Sequence, residues 1–367
     1  MNIADKLKSR DNNFDFLRFF AASLVILSHS FALTTQPYEP YLWLTGYATF
    51  GMLAVSIFFI LSGFLITKSW LDNPQIAIFL KKRILRIIPG LFVAVVFTIL
   101  IIGPLVTSLS FREYIAHPTT REYFNNAFLS VSFFLPGVFT DNLYKSAVNG
   151  SLWTLPVEFK LYMMVLALGM IGLFHKRMIA LTLSFGVFMY GAATLLFPTL
   201  YTLESTQQDY LRCTVYFSMG IIMYLFRDKI KFSKSIFLIA LILFLGSFRS
   251  TYGSTISYLT LPYMMLYVGF LKTNIFSIFS KYGDFSYGLY IYAFPVQQTI
   301  VYFSKNAINP AELFFSAFFV TLFLAICSWN FVEKPFMKLK SLQFVALIKK
   351  YFLKYLINNP KSINENV

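Results

Sequence analysis

Apolar runs alternate with short polar segments along nearly the whole chain. A hydrocarbon core of ~30 Å takes about 20 helical residues at ~1.5 Å each. By that measure the runs near 14–33, 47–67, 87–109, 153–174, 178–197, 210–226, 235–249, 255–271, 284–303 and 312–332 predict ten membrane-spanning helices. In lipid, helices satisfy their own backbone groups. The expected fold is therefore an all-α polytopic membrane protein, a bundle of about ten transmembrane helices.

One further apolar run, 123–139, is short and contains Asn125, Asn126, Pro136 and Gly137. Basic residues decide its fate. With ten spans and both termini cytoplasmic, 23 of the 31 Lys and Arg fall on inner segments. An eleventh span would move the clusters at Lys176, Arg227 and Lys272 outside, against the positive-inside rule. The stretch 110–152 is thus expected to be an outer loop with a re-entrant or interfacial middle. Trp43, Trp70, Trp153 and Trp329 all fall near predicted span ends, as an aromatic belt requires.

Composition agrees: 57% of residues are hydrophobic, only 13% are charged, and mean hydropathy is +0.64. The net charge of +15 would suggest nucleic acid in a soluble protein. In a membrane protein it reflects Lys and Arg in cytoplasmic loops, so no nucleic-acid partner is expected. Cys213 and Cys327 both lie in apolar runs, which argues against a disulfide framework or a Cys-ligated metal. No metal-ligand cluster or Walker loop is present. The first apolar run is too long for a typical signal-peptide core and reads as an uncleaved span. Residues 1–335 form the membrane domain. Residues 336–367 read as a basic cytoplasmic tail, with Lys349, Lys350 and Lys354 on one side of an amphipathic, surface-lying helix.

Several polar groups are out of place in such a chain. Arg18 lies inside the first span, where an arginine costs roughly 2.5–3.5 kcal/mol on insertion scales. Eleven residues on is His29; at ~100° and ~1.5 Å per residue the two share a face about 16 Å apart. His29 reads as a general base, or as a polar side chain satisfied by a neighbouring helix. Asp15 lies one turn before Arg18, so a local ion pair and an anion clamp are both open. Arg83 and Arg86 share a face before the third span and suit a phosphate or pyrophosphate from the cytoplasm. Glu158 begins the fourth span, shares a face with Tyr162, and is placed to orient His29 or act as a second acid or base, while Lys160 points away. Ser62 and Gly63 allow close helix packing or approach of a narrow ligand. Arg212 follows Asp209 by one turn, as a local pair or a cavity-lining cation.

Together these segments resemble the acyltransferase-3 family of membrane enzymes that O-acylate polysaccharides. The resemblance runs through Phe14-Asp15-Phe16-Leu17-Arg18 with His29, Phe58-Phe59-Ile60-Leu61-Ser62-Gly63-Phe64-Leu65, and Arg83-Ile84-Leu85-Arg86-Ile87-Ile88-Pro89. It continues through Ser151-Leu152-Trp153-Thr154-Leu155-Pro156-Val157-Glu158, Ser286-Tyr287-Gly288-Leu289-Tyr290-Ile291-Tyr292, and Val332-Glu333-Lys334-Pro335-Phe336. It implies an acyl-CoA donor, often acetyl-CoA, used as substrate with no bound cofactor. It implies an acceptor hydroxyl on a cell-surface glycan or lipid-linked sugar, and a place in the bacterial inner membrane. The family's functional positions correspond to Arg18, His29, Arg83, Arg86 and Glu158. Lys160 stands where many relatives are uncharged. Some relatives add a soluble esterase-like domain, and this chain is expected to act without one. The expected mechanism has His29 as base with Glu158 orienting, Arg83, Arg86 and Arg18 on the CoA phosphates, and Arg18, Arg212 or serine hydroxyls as candidates to stabilise the developing charge. A polytopic secondary transporter of a glycan or lipid is the competing class.

Overall fold

A computed structural model describes residues 1–9, 12–145, 147–197, 203–271 and 283–339. The predicted tail lies outside the described residues from position 340 onward. Among the described residues the regular structure is helical, with two isolated β-bridges besides.

Among the described residues, ten helices of thirteen or more residues overlap the predicted stretches, the third starting at Ile76 so that Arg83 and Arg86 lie inside it rather than before it. They are α1 (Phe14–Leu33), α2 (Phe50–Asp72), α3 (Ile76–Phe97), α4 (Thr154–Met170), α5 (Arg177–Leu196), α6 (Ser205–Leu225), α7 (Lys234–Gly246), α8 (Gly253–Gly269), α9 (Ser286–Phe303) and α10 (Pro310–Ser328). Among the described residues, six stretches are long and apolar enough to cross a membrane: α1, α2, Ile76–Val106, Gly150–Met170, α5 and Pro310–Lys338. The other four differ for physical reasons. At 13 and 17 residues, α7 and α8 reach only about 20 and 26 Å. The first turns of α6 are polar, Ser205 to Asp209. Buried on nearly every side, α9 has little need of a lipid-compatible surface and carries Gln297 and Gln298. Gln297 donates to Ile26 O and Ser30 Oγ of α1, both at 2.8 Å. Gln298 donates to Tyr144 O and Ala147 O, which seats the preceding loop on α9.

That loop holds short helices, Phe111–Ala116 and Pro118–Phe124, then a 3₁₀ turn over Asn125–Phe128 and irregular backbone. No spanning helix forms at 123–139. Asn126 accepts from Ser132 N and donates to Ser132 O, closing the turn locally.

Hydrogen bonds fix which helix ends lie together. Asn13, at the start of α1 and 3% exposed, donates to Val268 O and Leu271 O at the end of α8. Ile3 N donates to Ile230 O, just after α6. At the opposite end, Arg249 N after α7 donates to Thr45 O, in the short helix Pro40–Thr45 that leads into α2. We call these the proximal and distal ends. Buried Glu39 caps that short helix at Leu42 N and reaches on to Phe50 N, so one carboxylate serves two helix starts.

The outward surface is apolar: Phe315, Phe319 and Phe323 of α10 and Ile239 and Ile242 of α7 are all more than half exposed. A surface of this kind suits lipid. The aromatic belt is corrected in part. Trp43 is exposed, but Trp70 and Trp329 are buried, Trp70 packing on Phe79 and Gly169.

The closest helix pair is α2 with α6. A Cβ on Gly63 would strike the Phe217 carbonyl, and one on Gly220 would strike the backbone of Ile60 and Phe64. Gly63 is therefore a packing contact against α6, which corrects its expected place beside a ligand. Leucine at Gly63 or Gly220 is expected to destabilise by about 1–3 kcal/mol through overpacking. Leucine at Gly186, which faces open space, should leave unfolding unchanged when all three are melted in detergent.

Candidate active site: a charged cavity through the bundle

A cavity of about 290 Å³ opens between α1, α2, α3, α4 and α9. Its walls include Arg18, Ser62, Arg83, Arg86, Glu158 and Tyr162, so six of the ten candidate residues line one space. Along α2 the lining runs from Val55 to Ile66. Eleven residues at ~1.5 Å make the cavity about 16 Å long in that direction. It starts among the guanidinium groups near the proximal end and reaches toward the distal one.

The three arginines are held differently. Arg86 Nη2 lies 2.5 Å from Asp284 Oδ2, and Arg86 Nη1 lies 3.3 Å from Glu333 Oε2. Asp284 also accepts from the Ser286 hydroxyl and backbone amide just inside α9. Glu333 is 2% exposed and accepts from Ser328 Oγ at 2.9 Å. The two meet across a π-helical turn, Trp329–Glu333, whose extra residue per turn sets positions five apart side by side. Arg86 is thus fixed between two carboxylates from other elements. Arg18 lies 3.8 Å from both Asp15 and Asp284. The expected Asp15–Arg18 pair exists, and a second carboxylate joins it. Arg83 has no carboxylate within ion-pair distance among the described residues. Its Nη2 donates to Ser69 Oγ at 3.3 Å, its Nε is buried without a partner, and its guanidinium lies near the Phe79 and Tyr162 rings. Lys82 lines the same mouth.

Asp284 and Glu333 carry this arrangement, and reading the sequence alone gave neither a role. Glu333 stands in a quoted motif and Asp284 just before α9. The available signal was a carboxylate at the end of an apolar run, in a chain with two arginines needing counter-charges.

Glu158 faces into the cavity, and its hydrogen bonds run to α2 and its own helix. Ser62 Oγ donates to Glu158 Oε1 at 2.8 Å, and the Tyr162 hydroxyl donates to the same oxygen. Lys160 is exposed on the other side. No hydrogen bond joins Glu158 to His29 among the described residues, and the expected contact is replaced by this Ser62–Glu158–Tyr162 set. His29 is not among the cavity's lining residues. Its ring meets Phe294 edge-on at 4.9 Å, and its Nδ1 is buried without a partner. Ser28 lies against Gly51, four residues before Val55. At Ser28 the α1 backbone beside His29 is therefore level with a point about one turn, roughly 6 Å, beyond Val55, the cavity's far end along α2. Phe58 and Tyr290 close that end edge-to-face at 5.7 Å, and Tyr290 bonds to Thr154 Oγ1 at 2.6 Å. Arg212 lies elsewhere, paired with Asp209 at 2.9 Å in a second cavity.

The sequence profile of the family described as an acyltransferase domain matches residues 11–330. The chain belongs to the acyltransferase-3 family. This acyltransferase-3 chain is 31% identical over 338 residues to a protein named O-acetyl transferase from Shigella phage Sf6, covering 89% of this chain and 96% of that one. It is 27% identical over 360 residues to Nodulation protein 10 of Rhizobium leguminosarum bv. viciae, covering 90% and 94%. No solved structure matches significantly.

The two arginines of the third helix should separate on mutation. Arg86→Ala leaves Glu333 without a cation and Asp284 with Arg18 alone, and is expected to destabilise by about 3–5 kcal/mol, with partial recovery in the Arg86→Asp/Asp284→Arg exchange. Arg83→Ala should keep its melting temperature within a few degrees. Thermal unfolding of the purified proteins checks both.

Proposed function

We propose that this protein is a multi-pass membrane O-acyltransferase that moves an acetyl or similar group from cytoplasmic acyl-CoA to a hydroxyl of a cell-surface glycan or its lipid-linked precursor. Family membership and the O-acetyl transferase relative support the membrane O-acyltransferase activity. One observation supports the rest: a cavity with a guanidinium mouth that extends along α2 as far as Val55, one turn from the Gly51 that packs on Ser28 beside His29. All ten long helices cross the membrane in this reading, with both termini and the proximal end cytoplasmic, in a bacterial inner membrane.

Arg83, Arg18 and Lys82 bind the phosphates of the donor. Guanidinium groups suit this because they pair with phosphate oxygens in a fork. Arg83, without a carboxylate of its own, contributes most. Arg86 keeps the mouth in shape rather than holding the ligand. The pantetheine arm extends along α2 past Ser62, Glu158 and Tyr162, whose shared hydrogen bonds fix that wall. Rotation of Phe58 and Phe294 brings the thioester to His29.

The imidazole takes the proton from the acceptor hydroxyl. The oxygen attacks the carbonyl carbon, the carbon–sulfur bond breaks, and the leaving thiolate takes the proton from the imidazolium. The products are an O-acyl ester and free CoA. The transporter reading has no comparable support, since the family is one of acyltransferases.

His29→Ala should insert and fold normally yet lose at least a hundredfold in transfer, the usual range for a general base. Carbon-14 acetyl-CoA and the host's surface glycan provide the assay. Label transferred at the wild-type rate would remove His29 from the mechanism.

A further inference from the structure

A second cavity, about 210 Å³, lies at the distal end between α2, α6 and α8. It is smaller than the ~300 Å³ at which pockets for drug-sized ligands begin, which limits its occupant to roughly one ring. Its charged lining residues are Asp209 and Arg212, 2.9 Å apart, so the lining is formally neutral. Arg212 is 14% exposed in its side chain, and its Nε is buried with no partner. Tyr216 and Tyr258 meet edge-to-face at 5.0 Å and present ring surface, while the Tyr216 hydroxyl bonds to Ser257 Oγ at 2.8 Å. Gln208 stands at the rim, exposed.

These features select a ligand class. An anion would need net positive charge. A lipid tail would seal polar groups away from water without partners, at about 1–3 kcal/mol each. A neutral ring with several hydroxyls and an apolar face satisfies both the tyrosine rings and the polar atoms.

We infer that this cavity is a subsite for a neutral sugar residue of the acceptor glycan, distinct from the residue that is acylated. The inference rests on the acyltransferase reading above. Its geometry comes from α2. Gly51 faces Ser28 beside His29, whereas Met52, Leu53 and Ser56 face the second cavity. At ~100° per residue those positions lie roughly 100–200° around the helix from Gly51, Met52 and Leu53 within about 3 Å of its depth and Ser56 about 7.5 Å further along. The subsite and His29 therefore flank one helix, whose diameter is about 10 Å. A glycan of more than one residue crosses that distance and a monosaccharide does not. The subsite accordingly selects chain length or the neighbouring sugar.

The test uses the full chain in lipid nanodiscs with labelled acetyl-CoA. Acceptors are single-residue and longer fragments released from the host cell's own surface glycan. Gln208→Trp, which blocks the rim, should raise the KM for longer fragments about tenfold, the equivalent of ~1.4 kcal/mol. The KM for acetyl-CoA and the rate with single-residue acceptors should not change. Tyr258→Phe, nearly isosteric, should move the same parameter in the same direction and serves if the tryptophan variant misfolds. Wild-type transfer with a length preference that both variants retain would overturn the subsite alone. Equal losses on short and long acceptors would also overturn it. Absence of transfer by the wild type to any fragment would overturn the acyltransferase reading, and the subsite with it.

Discussion

The arrangement of Arg86 between Asp284 and Glu333 holds the proximal half of the bundle together. The three charges come from α3, from the lead-in to α9, and from the π-turn after α10. In a low-dielectric interior, removing one member of such a group leaves the others under-compensated at a cost of about 3–5 kcal/mol, so each element favours the placement of the others. Arg18 joins the same group through Asp284, which ties α1 to it. The surplus falls to Arg83, whose neighbours are a serine hydroxyl and aromatic rings. Structural demand and ligand demand are thus divided between two arginines that the sequence presents as equals.

A further division runs along the membrane normal. The cationic cavity opens near the proximal end, the neutral, hydroxyl-rich one at the distal end, and α2 lines both. Its close contact with α6 at Gly63 and Gly220 makes it a fixed partition. In the proposed reading, donor and acceptor would then differ in charge without interfering, because the two spaces share a wall and not a volume.

Much of this was readable in the residues. Apolar runs placed the helices, since periodicity and length are set by bilayer thickness. Basic residues excluded a span at 123–139, where the structure has turns and short helices. Asp15 with Arg18, Glu158 with Tyr162, and Asp209 with Arg212 were visible because helical neighbours three or four apart must meet. What could not be read was contact between distant elements. Nothing local in Asp284 or Glu333 points to Arg86, some 200 residues away in one case. Glu158 was assigned to His29 because both stand near one membrane surface, but depth does not fix azimuth. Gly63 and Ser62 are adjacent, yet on a helix adjacent residues face different neighbours, and only Ser62 reached the cavity. Trp70 and Trp329 show the same limit: a span end may be placed correctly while the side chain turns inward.

The aromatic closure at Phe58, Tyr290 and Phe294 has a consequence for the cell rather than for the reaction. A water-filled tube joining the arginine mouth to the far surface would conduct protons and small ions and dissipate the gradient across the bilayer. Under the proposed donor path, the rings between the arginine mouth and His29 would interrupt that wire of water and turn aside only for the thioester arm. Insulation and passage would then fall to the same three side chains, because rings can rotate for a guest that a hydrated ion cannot imitate.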